Sequence, residues 1–220
     1  MTDSSQQAFL DGPPQPLVVV RPQPDADPFE LYRRLASTSR PSFLLESANG
    51  SRSTARYSFF GSEPYLTLSG RGQEHHVEEA GRATVAAGSA FEALGRILGG
   101  SVISPIEGIP PFFGGAVGYL SYDLVRSFES LPSLATDDVG LPDMHLACFD
   151  LVAAVDHLTN QLYLMYCPPL SRFAAEPREK LYREGRDRLA ELEARLTSPR
   201  PPATFHAWPR TATLVPNQSR

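Results

Sequence analysis

Two stretches of this 220-residue chain are candidates for chemistry by residue type and pattern. Residues 111–123 read PFFGGAVGYLSYD, a paired glycine with a third three positions on. A backbone that cradles a dinucleotide phosphate uses G-x-G-x-x-G between a strand and a helix, with an acid about twenty residues later. The spacing here is G-G-x-x-G, and the residues after it are apolar and aromatic, so the pattern speaks for packing. Read as a strand, Gly114, Ala116 and Gly118 share one face and Gly115, Val117 and Tyr119 the other. A glycine and alanine face admits close approach by another backbone or a helix.

The second stretch is FLLESANGSRSTARYSFFG, residues 43–61. Phe43, Leu44 and Leu45 are apolar on both faces of a strand, so the run carries Glu46 and Ser47 toward a partly buried place. An unpaired carboxylate there is costly, and Glu46 needs a cation. Arg56, returned on the next strand, is one candidate. The ammonium of a bound amino acid is another.

Other polar clusters read as structure. His75 and His76 are adjacent, and in a strand adjacent side chains point to opposite faces, which disfavours chelation of one ion. Asp137-Asp138 precedes GLP and reads as a turn. No serine, histidine and acid fall into a triad pattern, so the chain is expected to have neither catalytic residues nor a metal site of its own.

Composition bounds the rest. A net charge of -5 and a pI near 5.5 give no basic field for nucleic acid. There is no apolar run of membrane-spanning length and no secretory signal pattern, so a cytoplasmic location is expected. Cys148 and Cys167 sit in apolar runs and read as small buried hydrophobes. In a hairpin centred between Leu158 and Thr159, Cys148 lies across from Pro169 and Cys167 from Asp150.

The surrounding helices and strands can be read from pattern. Residues 1–16 read as a flexible leader and LVVVR as a strand. Asp27 and Pro28 open a helix whose Phe29, Tyr32 and Leu35 share a face. SFLLESA, RYSFFG and YLTLSG read as strands, and Ser89 with Glu92 is a capping box. A long strand is expected over 112–122, then a hairpin built from MHLACFDLVAAVD and LYLMYC. A third helix over about 177–196 has the stripe Leu181, Tyr182, Gly185, Leu189, Leu192 and Leu196. Its pairs Glu179/Arg183, Glu184/Arg188 and Glu191/Arg195 are expected on a solvated face. Residues 198–220, with five prolines, read as a linker. Strands and helices without a regular βαβ cycle predict an α+β fold with largely antiparallel sheets and flanking helices.

In order, FLLES, RYSFFG, PPFFGGAVGYLSYD, LVRSFESLP, DDVGLPD and FDLVAAVDH resemble the N-terminal domain of anthranilate synthase component I and of the related aminodeoxychorismate (para-aminobenzoate) synthase component I. The resemblance spans roughly residues 17–167 and extends the domain to about residue 197. It implies the N-terminal part of a larger α/β/β/α sandwich. PNQSR at 216–220 resembles the S-N-F-T-R entry into the chorismate-binding domain, so on this reading the linker leads toward a domain missing from these 220 residues.

What the resemblance implies is a role in making anthranilate, toward tryptophan, or para-aminobenzoate, toward folate. Such enzymes aminate chorismate with magnesium bound in the chorismate-binding domain, and a glutamine amidotransferase supplies ammonia. It implies tryptophan as a ligand at Leu45, Glu46 and Ser47, with Arg56 as the basic residue on the next strand. Gly114, Gly115 and Gly118 then form a packing strand between layers. Taken alone, the chain is expected to be inactive. A free-standing amino-acid-binding regulatory module and a scaffold completing a separate catalytic chain remain as alternatives.

Overall fold

The computed structural model describes residues 3–37, 39–46, 55–98, 103, 106–132, 137 and 139–198. Ser47, Asp138 and the linker with its PNQSR end lie outside these residues. The first element is helix α1 (Asp3–Asp11), in place of the expected flexible leader. The physical reason is one aromatic: Phe9 is fully buried, its ring 5.7 Å from Phe173 and 6.1 Å from Tyr182. So short a helix is marginal alone, and it is this tertiary packing that holds it.

Strand β1 (Leu17–Pro22) leads to α2 (Pro28–Leu35). Asp27 caps α2, accepting from the Glu30 N–H at 2.7 Å, with Pro28 in the first turn. The buried residues are Pro28, Leu31 and Leu35, while Phe29 is exposed, so the helix is rotated from the expected Phe29–Tyr32–Leu35 face. Two apolar stripes compete on this helix, and Leu31 wins because it reaches the sheet.

Then come β2 (Ser42–Leu45), β3 (Tyr57–Ser62), β4 (Leu66–Arg71), β5 (Glu74–Glu79), β6 (Arg82–Ala87) and α3 (Ala90–Leu98). Ser89 and Glu92 close the capping box at the head of α3, with bonds of 3.2 and 2.8 Å. β7 (Gly115–Leu120), a short 3-10 turn (Tyr122–Ser127), β8 (Met144–Phe149), β9 (Leu151–Asp156), β10 (Gln161–Tyr166), α4 (Leu170–Ala175) and α5 (Arg178–Thr197) complete the described order.

The strands make two antiparallel five-stranded sheets, ordered β1-β10-β9-β3-β2 and β6-β5-β4-β8-β7. One core lies between the first sheet and α1, α2, α4 and α5, centred on Phe9, Leu31, Phe60, Leu164, Tyr166 and Leu181. A second lies between the sheets, where Phe43, Val152, Ala154 and Met165 meet Ala147, Phe149 and Phe113. A third is closed by α3 over Leu66, Leu68, Met144 and Leu146. The layers therefore run helix, sheet, sheet, helix, an α+β fold.

The apolar run 144–156 is not one hairpin arm, as the sequence reading has it. It divides at Asp150: β8 belongs to the second sheet and only β9 forms the hairpin with β10. Both halves are buried on both faces, so no alternation marks the break. The hairpin register is the expected one, pairing Asp156 with Gln161, and the Cys167 N–H donates to the Asp150 carbonyl at 2.7 Å. Cys148 instead pairs with Leu66 and Ala116 in the other sheet.

The α5 stripe Leu181, Tyr182, Gly185, Leu189, Leu192 and Leu196 is buried as patterned. Its charged face is not merely solvated. Arg188 reaches Asp150 and Arg195 reaches Glu63 at 3.1 Å, so two of the expected i,i+4 partners also serve the tertiary structure.

Candidate functional site

The register assembles a continuous row on the inner face of the first sheet. Leu45 of β2 stands opposite Phe59 of β3, Phe59 opposite Ala154 of β9, Ala154 opposite Tyr163 of β10, and Tyr163 opposite Val20 of β1. The neighbouring row, through Phe43, Val152 and Met165, is covered by the second sheet. The Leu45 row lies at the mouth between the sheets: Leu45 is 45% and Val20 40% exposed, while Ala154 and Tyr163 are buried. An aromatic chain lines it. Phe43 meets Phe112 at 5.9 Å, Phe112 meets Phe59 edge-on at 5.7 Å, and Phe59 meets Tyr57 at 5.7 Å.

Arg56 closes one end. Its Nε lies 3.1 Å and its Nη2 2.7 Å from the two carboxylate oxygens of Asp156, and its guanidinium sits 4.8 Å above the Tyr57 ring. Asp156 is fully buried, and burial opposes its ionisation. The bonds from Arg56 and from the Leu158 N–H at 2.9 Å outweigh that penalty and hold its pKa near about 2. A planar cation over an aromatic ring, beside exposed apolar surface, can receive the carboxylate and flat side chain of a small amphipathic ligand.

The sequence-predicted residues divide. Leu45 ends β2 and Arg56 immediately precedes β3, and the two strands meet at this face. Glu46 does not reach the expected partly buried place: it is exposed, because β2 ends at Leu45. Arg56 does not pair with it, being taken by Asp156. Ser47 lies outside the described residues.

The glycine strand also differs from expectation. β7 begins at Gly115, is shorter than 112–122, and forms an edge of the second sheet, with Val117 packed on the core between the sheets and Ala116 on the core under α3. Its close approach is to its own neighbour in the sheet. A Cβ on Gly118 would collide with the His145 carbonyl and come within 2.9 Å of the Leu146 Cα; one on Gly114 would lie 3.2 Å from the Phe149 carbonyl oxygen. Gly115 has φ 130, a backbone that suits glycine.

His75 is fully buried with Nε2 3.0 Å from the Gly88 carbonyl oxygen, whereas His76 is exposed beside Glu74. Their divergence follows the strand alternation. Ser58 and His157 are 2.8 Å apart, but Ser58 is fully buried and the neighbouring Asp156 carboxylate is engaged by Arg56 and Leu158. A cleft of about 830 Å³ lies elsewhere, between α3 and the segment around Phe113, Phe149 and Pro168. Asp156 is the site residue that sequence reasoning missed. Its signal is an aspartate at the head of a tight turn, DHLTN, where side-chain oxygens accept from the backbone two residues on.

No protein-family model matches the chain. Similar curated proteins agree in name. Anthranilate synthase component 1 of Acetivibrio thermocellus is 35% identical over 139 residues, 63% of this chain and 28% of that protein. The protein of the same name from Mycolicibacterium smegmatis is 40% identical over 139 residues, 63% of this chain and 26% of that one.

The chain is a relative of anthranilate synthase component 1.

A longer match, to anthranilate synthase component 1 of Geobacillus stearothermophilus, reaches 79% of this chain at 29% identity and 34% of that protein. The crystal structure of anthranilate synthase component I from Streptococcus pneumoniae TIGR4 overlays 80% of this chain and 36% of its own, with a TM-score of 0.51 and 21% identity. That likeness carries the fold. The chain spans about a quarter to a third of the length of these anthranilate synthase relatives. No helix among the described residues is long and apolar enough to cross a membrane.

Proposed function

We propose that this chain is the N-terminal, amino-acid-sensing portion of a chorismate-aminating synthase component I. Its ligand is tryptophan, held at the mouth between the two sheets. The observation that carries this reading is the open Leu45–Phe59–Tyr57 face closed by the Arg56–Asp156 pair. An indole fits against Leu45 and the aromatic chain, the carboxylate toward Arg56, and the ammonium toward Glu46. Glu46 is exposed here, so the ammonium contact gains strength only when a further surface excludes water from it. In this reading the chorismate-binding portion supplies that surface, the magnesium and the chemistry, and a glutamine amidotransferase supplies ammonia. The product is anthranilate, in keeping with the names of the relatives, and the enzyme works in the cytoplasm.

Calorimetry with L-tryptophan tests the site in this chain joined to a chorismate-binding portion. Glu46→Ala is expected to weaken binding by about 1.5–3 kcal/mol, the range for a hydrogen bond to a charged group. Affinity unchanged by Glu46→Ala and by Arg56→Gln alike overturns the site.

A further inference from the structure

Helix α3 is fastened to the second sheet by its small side chains. Ala90 and Ala93 are buried, while Phe91 and Leu98 are 40% and 41% exposed and Leu94 and Ile97 cover the core beneath only in part. A helix ordinarily turns its large apolar groups onto the layer it covers. Here they border a hollow.

That hollow is the cleft of about 830 Å³ beside α3. Phe91, Leu94 and Ile97 line it from the helix, and Phe113, Phe149 and Pro168 from the segments next to β7, β8 and β10. A second hollow of about 530 Å³ reaches the β5–β6 hairpin, and the two share Tyr65, Arg96, Ile97, Pro169 and Ser171. They form one trough with a waist. Its size is that of a small-molecule site, and none of its lining residues belongs to the Leu45–Phe59–Tyr57 face or to the Arg56–Asp156 pair.

Charge is distributed unevenly along the trough. The carboxylates Asp150 and Glu79 line the second hollow, whereas the first has Arg96, at the waist, as the single charged residue among its described lining. Asp150 is held by Arg188, and Arg172 by Glu176 and Glu184. Arg96 donates to the Ala87 carbonyl at 2.8 Å and forms no ion pair among the described residues; Glu92, whose charge it feels, accepts from the Ser89 N–H. A guanidinium with donors to spare, at the end of an aromatic and aliphatic hollow, is complementary to an anion on a flat apolar body.

We infer that the trough binds a small aromatic monocarboxylate. Its ring system lies between α3 and the Phe113–Phe149 side, and its carboxylate meets Arg96 at the waist, with the Ser171 hydroxyl beside it. The second hollow, lined by carboxylates, repels the anion and so fixes its direction. This site is separate from the tryptophan reading above and does not depend on it.

The test titrates 2-naphthoate into this chain and follows binding by calorimetry. Saturation below about 1 mM is expected, with the uncharged 2-naphthamide binding about tenfold more weakly. Arg96→Gln should weaken naphthoate by about tenfold and leave naphthamide unchanged, and Ile97→Trp, which fills the waist, should abolish binding of both. Arg96 is exposed, so its variant keeps the test decisive even if Ile97→Trp lowers the thermal midpoint. Absence of saturation, or equal affinity of the wild type for the two probes, overturns the assignment. Naphthoate that L-tryptophan displaces and Arg96→Gln does not weaken lies at the Leu45 mouth, which also overturns it. Self-association of the chain that Ile97→Trp abolishes assigns the trough to a second copy, with the same result.

Discussion

Arg188 of α5 grips Asp150 with both prongs of its guanidinium, Nη1 to Oδ2 at 2.5 Å and Nη2 to Oδ1 at 2.8 Å. Asp150 is the residue at which the chain leaves one sheet for the other, and it is 2% exposed. The guanidinium also lies 5.2 Å from the centre of the Tyr166 ring. One ion pair thus fixes the joint between β8 and β9 and the height of α5 over its sheet.

Removing the cation should leave a buried carboxylate without its partner. Arg188→Met is expected to cost about 3 kcal/mol, toward the lower part of the range for breaking a buried pair, because the arginine itself is partly solvated. Urea unfolding reads this as a lower midpoint at unchanged slope. A midpoint equal to wild type would show that the pair does not hold the joint.

Asp156 predicts an acid limit to stability. Its folded pKa, about 2, lies below the ordinary carboxylate value, so its contribution is fully present above the unfolded pKa, near about 4, and is lost as pH falls through about 2. Arg56→Gln removes the cation that sustains the low value and should shift the acid unfolding midpoint to higher pH. An acid limb that does not move would separate Arg56 from the stability of Asp156.

Helix α1 should matter in proportion to Phe9. Phe9→Ala empties a fully buried aromatic site between Phe173 and Tyr182 and is expected to cost about 3 kcal/mol. Thermal unfolding measures it. A change of a few tenths of a kcal/mol would return the first residues to the role of a loose leader.

Gly185 lets α5 come close to Tyr166 of β10. A Cβ there would collide with the Tyr166 ring and lie 3.2 Å from Leu17 Cδ2. Gly185→Ala gains about 1 kcal/mol of helix propensity and loses about 1–3 kcal/mol to overpacking. A net loss of about 1 kcal/mol is expected in urea unfolding. A stabilised variant would mean that α5 can shift outward freely.

The two thiols should be silent until the chain unfolds. Burial pushes Cys148 up to about 11, and burial with the nearby Asp150 charge pushes Cys167 up to about 12. At pH 8 almost no thiolate is present in the native state. A chromogenic disulfide reagent should titrate neither cysteine in the native protein and both in denaturant. Rapid native reaction of either would show that its core opens readily.

Local elements are legible in the amino-acid sequence wherever one physical rule dominates. Asp27 and Ser89 begin helices because their side chains satisfy free backbone N–H groups, whatever packs nearby. The six-residue stripe of α5 is buried as written, since 3.6 periodicity admits only one apolar face. The β9–β10 register is set by the turn between them. Long-range packing settles the remainder. The break at Asp150 has no local signature, because strands buried on both faces do not alternate. Phe9 orders α1 through Phe173 and Tyr182, at the far end of the chain. Arg56 is drawn to Asp156 rather than Glu46 because sheet pairing sets Tyr57 opposite Asp156, a neighbour no spacing along the chain reveals. Elements come from interactions within a few residues. The site is made from strand order, which is chosen by burial summed over the whole chain.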